Sequence, residues 1–179
     1  HLTPRPKTRW PATAAVVAHD NQVASAGITT VFDAVSIGDV NEGSERIVRL
    51  IESVTALEHA LENELLRADH KLHLRCETSF PGMVEALGQL IDLPLVSMLS
   101  VMDHTPGQRQ FVSLDAYYTY YQGKYGLNDE EMRKFIATRR RDAELYSEKH
   151  RRHVVEQAHA KGLALASHAD IRTCHWGGS

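Results

Sequence analysis

Short apolar runs alternate with longer amphipathic stretches along this chain. "ITTVFDA" (Ile28–Ala34), "KLHLRCE" (Lys71–Glu77), "LPLVSMLSV" (Leu93–Val101) and "LALAS" (Leu163–Ser167) are too short for helices and are bounded by turn or helix-stop residues, which predicts four strands. From Ser44 to Ala68, Ile47, Leu50, Ile51, Val54, Leu57, Leu61 and Leu65 recur on one helical stripe. Pro11–Ala26 reads as an Ala/Val-rich helix stopped by Gly27, and Met83–Ile91 as a short one. Leu114–Tyr121 and Asp129–Lys161 complete the helices. The longer has Asn128 as its cap, three acids in its first turn, and Gly162 as its stop.

Strands joined by helical crossovers imply a parallel sheet with helices outside it. An open doubly wound sheet and a (β/α)8 barrel both satisfy the pattern. A whole barrel takes about 250 residues, so 179 residues hold only part of one.

Composition narrows the function classes. A net charge of −3, with 42% apolar and 24% charged residues, implies no bulk attraction to nucleic acid or to an anionic membrane. No apolar run approaches the length of a membrane span. Cys76 and Cys174 alone make neither a disulfide framework nor a zinc ribbon, so a reducing, cytoplasmic setting is expected. Of eleven histidines, His59, His70, His150, His153 and His159 lie in charged text that reads as solvated helix. His104 and His168 instead follow apolar runs.

Parallel α/β folds bind ligands beyond the carboxyl ends of their strands. Reading those ends gives Asp33, Glu77, Asp103 with His104, and His168 with Asp170. Each alone is an ordinary polar loop residue, and Asp33 alone a helix cap. Glu77 is harder to dismiss, because a carboxylate ending a buried strand must be paired, protonated or metal-bound. One carboxylate and two imidazoles from separate strands suit a divalent transition metal, which lowers the pKa of a bound water toward neutrality. Zinc is the expected ion, with iron and manganese compatible. Asp103 is placed to orient a ligand histidine or to act as general base. Arg5, Lys7 and Arg9 in the Pro-rich opening, with Gln108, Arg109 and Lys124, form a candidate anion-binding set. No Walker motif, GxGxxG, GxSxG or HExxH is present, which favours water over a side chain as nucleophile.

"HLTPRPKTRWP", "GITTVFDA", "HLRCE", "SVMDHTPGQRQF", "YYQGKYGLNDEE" and "LASHAD" resemble the PhnM-type triphosphate diphosphatases of phosphonate breakdown, a family of the amidohydrolase superfamily. The likeness runs from His1 to about His168. It implies an incomplete α/β-barrel domain over residues 1–179, a partial TIM-like barrel with outer helices. It also implies metal-dependent release of pyrophosphate from a ribose 5-triphosphate carrying a phosphonate at C1. The ligands on this resemblance are Glu77, His104 and His168, with Gln108 and Arg109 facing the phosphates. The family's upstream His-x-Asp segment and last-strand aspartate fall outside this chain. Its usual Ser-His-Asp-Asp is here Ser167-His168-Ala169-Asp170, followed by "IRTCHWGGS", and a truncated or frame-shifted gene end is expected. The partner expected is a phosphorylated ribose phosphonate, with no nucleic acid and no membrane, and a homo-oligomer compatible. The rival readings are an amidohydrolase cutting a C–N bond at the same metal site, and a non-catalytic anion-binding module.

Overall fold

The structure, a computed structural model, describes residues 10–38, 46–106 and 114–167. Four strands form one sheet: β1 (Thr30–Ile37), β2 (Asp69–Glu77), β3 (Val96–Met102) and β4 (Ala164–Ser167). They lie in the order β1-β2-β3-β4, every neighbouring pair parallel. A doubly wound sheet reverses its strand order at a switch point. This sheet has no reversal; each strand joins on the same side of the last, as in an arc of a (β/α) barrel. The expected class, α/β with parallel strands, is borne out.

The helices are α1 (Ala12–Ser25), α2 (Arg46–Glu62), α3 (Met83–Gly88), α4 (Leu114–Tyr125), α5 (Asp129–Asp142) and α6 (Glu148–Lys161). A π-helical turn, Ala143–Ser147, joins α5 to α6, where the sequence predicted one unbroken helix. Asn128 caps α5 in a full capping box: its side chain accepts from the backbone N–H groups of Glu130 and Glu131, and Glu131 reaches back to the Asn128 N–H. Gly162 closes α6 in the left-handed region at φ 64°. None of the described helices is long and apolar enough to cross a membrane.

Alternation along the strands gives the sheet two unlike faces. Val35 and Ile37, Leu72, Leu74 and Cys76, and Leu99 and Val101 share one face through the parallel register. They form the core with Val16 of α1, Leu50, Val54 and Leu57 of α2, Leu87 of α3 and Val154 of α6. The helical stripe of α2 is shorter than expected: Ile51 is exposed, and Leu65 lies beyond the helix end and is exposed too. Phe32, Ala34 and Ser36, Lys71, His73 and Arg75, and Ser100 fall on the other face. That face is polar, with His73 Nε2 2.8 Å from Ser100 Oγ. A second cluster, Tyr117, Tyr121 and Met132, joins α4 to α5.

Candidate active site

Glu77 is the last residue of β2, and Asp103 and His104 follow β3 directly, so the parallel register puts all three at one end of the sheet. Glu77 is buried, 2% exposed. Its Oε1 accepts from Ser79 Oγ at 2.7 Å and from the His104 backbone N–H at 3.1 Å. Its Oε2 meets His104 Nδ1 in a second, charge-assisted contact. A buried strand-end carboxylate is thus paired, as its position required. Glu77 Oε2 and His104 Nδ1 thus face one another, and an ion taken between them would have both as ligands.

Asp103 does not hold that ring. Its Oδ1 accepts from the Thr105 N–H at 3.0 Å, and its Oδ2 accepts from Ser147 Oγ at 3.0 Å. Three residues of the α5–π–α6 run reach the strand ends. Arg139 Nη2 donates to Ser79 Oγ at 2.6 Å and stands 3.7 Å from Glu77 Oε1, Ser147 binds Asp103, and His150 Nδ1 donates to the Thr78 carbonyl at 2.9 Å. On a regular α-helix, Arg139 and Ser147 point about 80° apart. The wider winding of the π turn swings Ser147 back toward the sheet. Burial holds the His150 imidazole below its ordinary pKa, with Lys149 and His153 adding to the effect and the bond to Thr78 opposing it.

Gly38 closes β1 at the same end with φ 106°, and a Cβ there would stand 2.9 Å from Phe80 Cβ and 3.0 Å from Glu77 Cβ. The backbone of the strand connection therefore seats Glu77 from the side. Lys124, in the last turn of α4, has its ammonium 5.1 to 5.7 Å from the ring centroids of Tyr120, Tyr121 and Tyr125. Burial raises the Tyr121 phenol above its ordinary pKa, with Tyr125 and Glu77 adding to the rise.

The sequence-predicted residues thus divide in two. Glu77, Asp103 and His104 lie at one end of the sheet and Lys124 over the tyrosines of α4, while Arg5, Lys7, Arg9, Gln108, Arg109, His168 and Asp170 lie outside the described residues. Ser167, just before His168, ends β4 in register with Val101, at the same end of the sheet as Glu77. The donor set fits a metal: a buried carboxylate facing an imidazole nitrogen offers two ordinary zinc ligands.

Three expectations are corrected. Asp33 does not end its strand: β1 runs on to Ile37, and Asp33 is buried on the helix-facing side, with Oδ1 2.9 Å from His19 Nε2 and Oδ2 2.6 Å from His70 Nδ1. His70 is not a solvated helical residue but the buried second residue of β2. His150 is helical but buried. Sequence reasoning also missed Arg139, hidden in an "RRR" run, and the His19-Asp20 pair of α1. A histidine followed by an aspartate in otherwise apolar helical text was the available signal.

Comparison with known proteins supplies the remaining observation. The chain is similar to a triphosphate diphosphatase. It is 40% identical over 174 residues to the alpha-D-ribose 1-methylphosphonate 5-triphosphate diphosphatase of Escherichia coli (strain K12). The match covers 97% of this chain and 46% of the relative, so the chain spans about half the length of the curated protein it matches. No family model and no solved structure matches it. The resemblance read from the motifs is borne out.

Proposed function

We propose that this chain is part of a metal-dependent hydrolase of phosphonate breakdown, one that cuts a phosphoanhydride and releases pyrophosphate from α-D-ribose 1-methylphosphonate 5-triphosphate. The observation that carries the reading is the Glu77–His104 contact at the carboxyl end of a parallel sheet, in a chain 40% identical to a diphosphatase of that substrate. Glu77, His104 and His168 would hold the ion, with zinc first among the candidates. Bound there, the ion supplies Lewis-acid activation of water and charge stabilisation at the phosphoryl oxygens.

The chain's own groups supply the positioning. Glu77 fixes the His104 ring through Nδ1, while Ser79 and Arg139 fix Glu77. Asp103, the residue before His104 and anchored by Ser147, is the candidate to accept a proton from water. Arg5, Lys7, Arg9, Gln108, Arg109 and Lys124 are the proposed polyphosphate contacts, because three phosphates carry more charge than one cation neutralises.

The purified protein, supplied with zinc, should release pyrophosphate from the ribose 5-triphosphate and leave a cyclic amide intact. Hydrolysis of the amide with the triphosphate untouched would move the assignment to C–N cleavage. Phosphate binding without metal or turnover would leave a non-catalytic module.

A further inference from the structure

A second cluster of metal-ligating groups lies away from the strand ends. His19 of α1, Asp33 of β1 and His70 of β2 present Nε2, a carboxylate oxygen and Nδ1, all within 4.8 Å of one another. We propose that these three side chains bind a divalent cation of the zinc class, as a structural site distinct from the one at Glu77. His70 and Glu77 are seven residues apart on β2, about 23 Å at roughly 3.3 Å per residue, and odd spacing puts them on opposite faces of the sheet. One ion cannot serve both.

The way His70 is held singles out a ligand. Its Nε2 lies 3.2 Å from Asp20 Oδ1, and that oxygen also accepts the backbone N–H groups of Arg67 and Ala68, both at 2.9 Å. A ring that donates from Nε2 to an anchored carboxylate presents the Nδ1 lone pair toward Asp33 and His19, the carboxylate–histidine arrangement that orients metal ligands.

Charge points the same way. Asp20 and Asp33 are 0% and 3% exposed, so two carboxylates sit in a low-dielectric layer between α1 and the sheet. Among the described residues, buried Asp20 Oδ2 has no hydrogen-bond partner. The Arg67 guanidinium approaches it only to 3.9 Å and is two-thirds exposed, so solvent screens it. A divalent ion would balance both charges. Its three ligands come from α1, β1 and β2, so it would clamp the first helix to the sheet. With two imidazoles and one carboxylate the site suits zinc better than magnesium or calcium.

The competing arrangement is a metal-free relay in which His70 donates from both nitrogens, one to each aspartate. Metal content of the purified protein separates the two, read on wild type, on His19→Ala, on Asp20→Asn and on a Glu77→Gln/His104→Ala double variant. The double variant should keep one zinc-class ion per chain. Asp20→Asn should weaken that ion's binding by about 10–100-fold, and His19→Ala by more. His19 lies at the margin of the core, with a side chain 13% exposed, so its variant is the one expected to fold. Cobalt substitution gives a second readout: the double variant should show the visible band of low-symmetry cobalt, and His19→Ala added to it should lose the band. A double variant that holds no zinc and no cobalt, or zinc binding indifferent to His19→Ala and Asp20→Asn, would overturn the site in favour of the relay.

Discussion

His104 meets Glu77 twice: its backbone N–H donates to Oε1 at 3.1 Å, and its ring Nδ1 contacts Oε2. Two bonds from one residue fix both where the loop after β3 begins and how its imidazole turns. Glu77 therefore acts as a strut for the loop as well as a candidate ligand. Glu77→Gln keeps the shape but replaces one of the two carboxylate acceptors with an amide. It should lower zinc affinity at the strand ends about 10–100-fold, measured by competition with a chelating dye. Unaltered affinity would remove Glu77 from the site.

Arg139 is the cation beside Glu77, with a side chain 4% exposed. Arg139→Ala leaves a buried carboxylate without its neighbouring charge and Ser79 without its donor. Removing one partner of a buried pair costs about 3–5 kcal/mol. Urea unfolding should show a midpoint shift of that order with an unchanged slope. Arg133 and Arg140, exposed on the same helix, should tolerate alanine within about 0.5 kcal/mol.

Two glycines should respond in opposite directions. Gly38→Ala would press closer than van der Waals contact on Phe80 and Glu77 and imposes a side chain on φ 106°, a loss of about 1–3 kcal/mol. Gly123, inside α4, has nothing within 4 Å of the position an added methyl would take, so Gly123→Ala should gain roughly 0.5–1 kcal/mol. Thermal unfolding of the two variants checks the pair.

His150 gives the fold an acid-sensitive contact. Its folded pKa lies below the ordinary 6.5 because burial disfavours the charged ring. The unfolded state therefore takes up the proton first. Its stabilising contribution is fully present above about pH 6.5 and is lost as pH falls toward the depressed folded value. Stability measured from pH 7.5 downward should decline, and His150→Gln should flatten that decline while lowering stability at pH 7.5. An identical pH slope in the variant would exclude His150 as the cause.

The strands were legible because short apolar runs were bounded by turn residues, and Asn128 and Gly162 marked helix ends by their own chemistry. Glu77 and His104 were legible because each directly ends an apolar run. His70 was not, since it shares "RADHKLHL" with charged neighbours and β2 starts earlier than its apolar alternation shows. Asp33 misled because a charged residue inside a strand looks like an end; Val35 and Ile37 carry the alternation past it. Arg139 could not be picked from "TRRRD", because what selects it is Ser79, sixty residues earlier in the chain. The choice between open sheet and barrel also waited on strand order, which no local pattern encodes.

The central claim is that Glu77 and His104 hold a metal ion at the carboxyl end of the sheet. Anomalous diffraction at the zinc edge from zinc-soaked crystals of the protein tests it most directly. The expected result is a peak between the Glu77 carboxylate and His104 Nδ1, about 2.0–2.2 Å from each. A well-ordered His104–Glu77 pair with no peak beside it, in crystals whose zinc signal lies elsewhere, would contradict it.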